Sequence, residues 1–190
     1  MKLIYFHGFG SSGASGTVES LRRLLPDFEV IAPDIPVDPA EALPFLKELV
    51  GNEQPDIIVG TSMGAMYAQQ MFGFRKICVN PAFNMSTMSK VMKAGRKYPF
   101  LNGRRDGAKD FTITGQIVKN FNAMERQQFK GITDFDKDNT YGLFGVHDTT
   151  VNCYDLFRRH YPNAIKFDGE HHLNDKSLKS AVIPLIKQIV

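Results

Sequence analysis

The chain has 190 residues, 43% of them apolar and 23% charged, enough for one compact domain that buries roughly 70% of its unfolded surface without disulfide or metal staples. Its formal net charge of +3 is too small to argue for nucleic acid, and no apolar run approaches the ~18 residues of a membrane span. No basic, apolar leader opens the sequence, and Cys78 and Cys153 lack metal-ligand spacing, so both read as free thiols of a cytoplasmic protein.

The first half alternates short apolar runs with helical patterns. Leu3 to Phe6 ends at His7-Gly8, Phe28 to Ala32 at Pro33-Asp34, Asp56 to Val59 at Gly60, and Lys76 to Val79 at Asn80-Pro81. Each run is β-branched or aromatic and closed by a turn former, as buried parallel strands are. Helix patterns lie between them at Ser15 to Leu25, Pro39 to Val50 and Met63 to Phe72. After Pro81 the alternation stops. Residues 84–130 hold ten basic and three acidic side chains, a balance of +7 against −4 for the rest of the chain. Met85, Met88, Met92, Phe111, Phe121 and Met124 are spaced there for two or three helices, with turns at Asn102-Gly103 and Asp106-Gly107. The alternation then returns with a strand at Tyr141 to Val146, a helix at Val151 to Arg159, a strand at Ala164 to Phe167 and a closing helix at Ser177 to Val190. The expected fold class is α/β: a mostly parallel sheet of about six strands wrapped by helices, one domain over residues 1–190, with a helical insert at 84–130.

Ligands of open α/β sheets bind beyond the carboxyl ends of the strands. Those ends carry His7-Gly8, Asp34, Ser62, Asn80, Asp148 and His171. Gly60-Thr61-Ser62-Met63-Gly64 matches G-x-S-x-G between an apolar run and a helix pattern, where a sharp turn lifts a serine Oγ out of the sheet. With 16 Gly and 9 Ser in the chain, chance supplies only ~0.06 matches to that pattern. A nucleophilic serine needs a base and an acid that orients the base. The order Ser62, Asp148, His171 supplies them, each just past a strand. His171 is preferred to His172 because it follows Gly169 by two residues, and His147 is expected to point away. Backbone N–H groups of Phe9 and Met63 are the candidate oxyanion donors.

Other readings exist. Gly8-Phe9-Gly10-Ser11-Ser12-Gly13 spells G-x-G-x-x-G with Asp34 21 residues beyond Gly13, the fingerprint of a dinucleotide-binding loop. Asp168, Glu170, His171 and His172 have metal-ligating chemistry, but four ligands within five residues do not easily surround one ion. A non-catalytic protein of the same fold is the third alternative.

His7-Gly8-Phe9-Gly10-Ser11-Ser12, Pro33-Asp34, the G-x-S-x-G segment, Asn80-Pro81-Ala82, Gly145-x-x-Asp148 and Gly169-x-His171 together resemble the YqiA-type small bacterial esterases of the α/β-hydrolase superfamily. The resemblance covers nearly the whole chain. It implies a serine hydrolase cleaving carboxylic ester or thioester bonds of a small acyl substrate, with no metal or other cofactor, and with Ser62, Asp148 and His171 as its triad. Residues 84–130 then fall where such enzymes carry a lid. Lys90, Lys93, Arg96, Lys97, Arg104 and Arg105 would draw in an anionic substrate; neither a nucleic acid nor a membrane partner is expected.

Overall fold

The computed structural model describes residues 1–88 and 90–190. In chain order, β1 (Lys2–Phe6), α1 (Gly16–Leu24), β2 (Glu29–Ile31), α2 (Pro39–Glu53), β3 (Ile57–Thr61), α3 (Met63–Gln69) and β4 (Lys76–Val79) realise the expected alternation. A 3-10 turn (Met85–Thr87), β5 (Lys97–Pro99), β6 (Asp110–Thr112), α4 (Gly115–Glu125) and α5 (Asp134–Asn139) follow. β7 (Thr140–Gly145), α6 (Tyr154–Arg158) and β8 (Asn163–Phe167) resume the pattern. The closing helix runs through α7 (Asp175–Ser177), a π-helical turn (Leu178–Val182) and α8 (Ile183–Ile189).

Six strands form one sheet in the order β2-β1-β3-β4-β7-β8, every pair parallel. The chain steps outward from β1 to β2, then returns to the other side of β1 as β3. That reversal opens a crevice between the carboxyl ends of β1 and β3, the position where doubly wound sheets bind ligands. Side chains alternate between the two faces because a strand has a period of two. Leu3, Tyr5, Ile57, Val59, Ile77 and Val79 pack under α1 and the closing helix. Ile4, Phe6, Ile58 and Cys78 pack with α2, α3 and α6 on the other face. Each fully buried aliphatic or aromatic side chain contributes about 1.5–3 kcal/mol. No helix among the described residues is long and apolar enough to cross a membrane.

Residues 84–130, of which Ser89 lies outside the described residues, differ from the two or three helices expected. One α-helix, α4, is present, and the central part is an antiparallel ribbon pairing Tyr98 with Phe111. The cause is aromatic pairing: Tyr98 stacks on Phe111 at 5.7 Å and Phe100 lies 4.7 Å from it, which favours paired strands. The methionine spacing that suggests a helix near Met85 yields a single turn, pinned to α4 by Glu125, whose carboxylate accepts from the Ser86 N–H at 2.7 Å and from the Ser86 hydroxyl.

α5 is absent from the sequence expectation. It starts in a capping box between Thr133 and Asp136 and delivers Asp136 to Lys76 at the start of β4, 2.6 Å away, with both side chains fully buried. Burial raises the Asp136 carboxyl and hydrogen bonds from Lys76, Thr133 and Gly73 more than offset it, so its pKa lies below the usual carboxylate range.

Candidate active site

The turn from β3 into α3 places Ser62 at φ 54°, ψ −119°, a backbone conformation that costs a non-glycine residue free energy and persists only where its surroundings fix it. They do so here. The Ser62 N–H donates to Val79 O at 2.9 Å, and the Ser62 carbonyl accepts from Ala65, Met66 and Ala82 at 3.1–3.2 Å. The flanking glycines are sterically required: a Cβ on Gly60 would strike the Gly64 carbonyl, and one on Gly64 the Phe6 carbonyl.

Asp148 follows β7 by three residues, and its Oδ1 accepts from the N–H groups of Thr150 and Val151 at 2.7 and 3.1 Å. This side-chain turn explains why α6 begins at Tyr154 rather than at Val151. The other carboxylate oxygen lies 2.8 Å from His171 Nδ1, and His171 Nε2 lies 3.1 Å from Ser62 Oγ. A carboxylate only accepts, so Nδ1 carries the ring proton and Nε2 is left to accept from the serine hydroxyl. Both side chains are shielded, with Asp148 4% and His171 11% exposed. Ser62, His171 and Asp148, chosen from chain order, are thus brought into one hydrogen-bonded row. His172 is an exposed neighbour on the cavity wall, its ring edge-on to His171 at 5.3 Å. His147 points away and meets Asp168 at 3.1 Å.

The N–H groups of Phe9 and Met63, the two expected oxyanion donors, meet no acceptor among the described residues. The loop that carries Phe9 is held from beneath by His7. Its Nε2 accepts from the Ile35 N–H at 3.0 Å and its Nδ1–H donates to Gly8 O at 2.8 Å. Burial pushes the His7 pKa down to about 4, so the ring is neutral and the tautomer fixed. From above, the ribbon clasps the same loop: Phe9 packs edge-on against Phe111 and Tyr98 at 5.2 and 5.6 Å. Leu101 N–H donates to Gly10 O, and the Ser12 hydroxyl donates to Gly103 O at 2.7 Å. Asp34, the ribose ligand of the dinucleotide reading, belongs to this clasp as well. Its two oxygens accept from the N–H groups of Gly13 and Arg105 at 2.8 and 2.7 Å. That leaves the fingerprint without a free acid, and the glycines serve the loop beside Ser62. Among the described residues no group of three or more His, Cys, Asp or Glu side chains is placed to hold a metal ion.

Above Ser62 and His171 opens a cavity of about 700 Å³. Met85, Met88, Val91 and Leu101, all from the 84–130 segment, form an apolar wall, and Ser11, Thr17 and Ser20 a hydroxylated one. Among the described residues no lysine or arginine lines it, and Arg104, expected to draw in an anionic substrate, is instead 7% exposed, paired with Asp106 at 2.9 Å and donating to Ile35 O at 3.2 Å. The sequence marked Asn80 as a strand end and as part of the Asn80-Pro81-Ala82 motif, without a role for its side chain. Its amide reaches the backbone of both the Asp148 and the His171 loops, a long-range contact that no spacing reveals.

A model of an uncharacterised protein family, UPF0227, matches residues 2–175. Among solved structures, Est1E from Butyrivibrio proteoclasticus superposes with a TM-score of 0.70 at 15% identity, covering 98% of this chain and 87% of that one. The monoacylglycerol lipase of Paleococcus ferrophilus gives a TM-score of 0.68 at 15% identity over 100% and 95% of the two chains. The Arabidopsis methylesterase MES16 gives 0.62 at 12% identity, covering 99% of each. At these identities the likeness establishes the shared α/β-hydrolase fold.

Proposed function

The chain belongs to the UPF0227 family, the YqiA-type group its motifs resemble, and on that premise we propose that it is a serine hydrolase of carboxylic ester or thioester bonds. The observation that carries the reading is the continuous row Ser62 Oγ, His171, Asp148 at 3.1 and 2.8 Å. Ser62 Oγ attacks the acyl carbonyl while His171 Nε2 takes its proton. Asp148 holds the ring in the required tautomer and stabilises the imidazolium. The Phe9 and Met63 N–H groups receive the charge that develops on the carbonyl oxygen. His171 then protonates the departing alcohol or thiol, and water, deprotonated by the same nitrogen, releases the acid from the acyl-enzyme.

The apolar wall of Met85, Met88, Val91 and Leu101 suits an acyl chain, and the names of the similar structures favour ester substrates. An uncharged reacting portion fits a cavity without cations, while the +7 segment around it attracts anionic substrates at a distance. A panel of acyl esters, thioesters and amides of graded chain length, assayed with wild type and Ser62→Ala, tests the proposal. Ester or thioester turnover that disappears in Ser62→Ala supports it. Turnover that survives the substitution rejects the mechanism, and a protein inert to the whole panel would be a non-catalytic member of the fold.

A further inference from the structure

The segment from Val79 to Ala82 touches all three arms of the proposed site. On the nucleophile side, Ser62 N–H donates to Val79 O at 2.9 Å and Ala82 N–H donates to Ser62 O at 3.1 Å. Between those two anchors sits Asn80, 2% exposed and in the left-handed region at φ 45°. Its backbone N–H donates to Leu143 O at 2.8 Å. Its side-chain Oδ1 accepts from Gly145 N–H at 2.8 Å, three residues before Asp148. Its Nδ2 donates to Glu170 O at 2.9 Å and to His171 O at 3.1 Å. Acceptor and both donors are therefore used, which only a carboxamide can do with one side chain.

The acid and base loops are also joined to each other. Val146 N–H donates to Phe167 O and His147 N–H to Gly169 O, each at 3.0 Å. A Cβ on Gly145 would collide with the Gly169 and Glu170 carbonyls, so the two loops lie in direct contact. Asp148 and His171 thus form one body, and the Asn80 carboxamide ties this body to the end of β4, where Val79 and Ala82 are hydrogen-bonded to Ser62.

We propose that Asn80 is a positioning residue that sets the distance between His171 and Ser62. It does not line the large cavity; it borders a smaller one of about 220 Å³ behind Asp148. It acts through backbone atoms and leaves substrate contacts unchanged. The inference rests on the Ser62–His171–Asp148 reading and adds to it the part that keeps the row in register. Misplacing a catalytic group by about 1 Å costs on the order of 10²-fold in rate, and loss of this tie loosens His171 relative to Ser62 by that kind of displacement.

Two substitutions separate the arms. Asn80→Gly keeps the left-handed backbone, which glycine adopts without strain, and removes both arms. Asn80→Asp keeps an acceptor for Gly145 but sets a carboxylate oxygen against the Glu170 and His171 carbonyls, so it removes the donor arm and repels the joined loops at their His171 end. For both variants kcat should fall about 10²-fold, with KM within about twofold. Phosphonylation of Ser62 by a fluorophosphonate should slow in parallel with kcat. Rates are referred to the folded fraction, measured by circular dichroism, so lost stability is not counted as lost chemistry. A kcat within about threefold of wild type in either variant, or a loss that vanishes on that correction, overturns the proposal. So does a rise in KM at constant kcat. Ser62→Ala run alongside keeps the two readings apart: if it stays active the triad itself is wrong, and if it is inactive while the Asn80 variants work normally only the positioning role falls.

Discussion

At the carboxyl ends of the sheet, Ser62, Asn80 and Asp148 each stand within three residues of a strand, and His171 within four. Hydrogen bonds between neighbouring strands fix where those ends lie. Residues 84–130 meet the same cavity through Met85 in a single 3-10 turn and through the loop residues Met88, Val91, Leu101 and Asn102, with Leu101 68% exposed. The charges divide along the same line, +7 in the segment and −4 elsewhere. Parallel strands buried on both faces leave little freedom to the atoms at their ends, which suits groups that must meet within a few tenths of an ångström. A wall whose proposed part is to enclose an acyl chain needs only shape and apolar surface. Substitutions at the strand ends should accordingly abolish turnover or unfold the sheet, and changes in the segment should alter which substrates are preferred.

The largest effect is expected from His171→Ala, which removes the base from the row and should lower kcat about 10⁴-fold with little change in the thermal unfolding midpoint. Turnover within tenfold of wild type would place the base elsewhere, with His172 the next to examine. Next is Lys76→Met, which leaves the Asp136 carboxylate buried without its cation and should cost about 3 kcal/mol, seen as a lower urea midpoint. An unchanged midpoint would mean that water reaches the pair.

Acid should act on the sheet side through His7. The unfolded ring takes its proton near pH 6.5 and the folded ring only near 4, so between those values the unfolded chain holds the extra proton. The stability gained by keeping the ring neutral is fully present above pH 6.5 and drains as the pH falls toward 4, by about 3 kcal/mol. Urea titrations at pH 7 and 4.5 read it, and a His7→Gln variant should lose this part of the acid dependence. An identical slope in that variant would assign it to other groups. Smallest is the effect of the 84–130 cations, none of which lines the cavity. Raising salt from 50 to 500 mM should lower kcat/KM about threefold for an anionic acyl ester and leave a neutral one unchanged. Equal responses would remove electrostatic attraction from the account of this segment.

Much of the sheet was readable in the residues because its strands are short β-branched or aromatic runs ended by glycine, proline, asparagine or aspartate, and Ser62, Asp148 and His171 follow those runs directly. The ribbon was not, because methionine and phenylalanine fit both a helix stripe and a strand pair, and cross-strand aromatic contacts decided between them. Lys76 and Asp136 are 60 residues apart, and each alone reads as a solvated charge. The Asn80 carboxamide was hidden for the same reason: its partners at Gly145, Glu170 and His171 come from two later loops. Spacing reveals what is local. The contacts that fix one arm of the site against another are long-range.

The most direct measurement is the site of covalent labelling by a fluorophosphonate, mapped by mass spectrometry of digested protein. The row of Ser62, His171 and Asp148 predicts a single stoichiometric adduct on Ser62, formed slowly or not at all in His171→Ala. An adduct on another residue, or labelling of Ser62 at the same rate without His171, would contradict it.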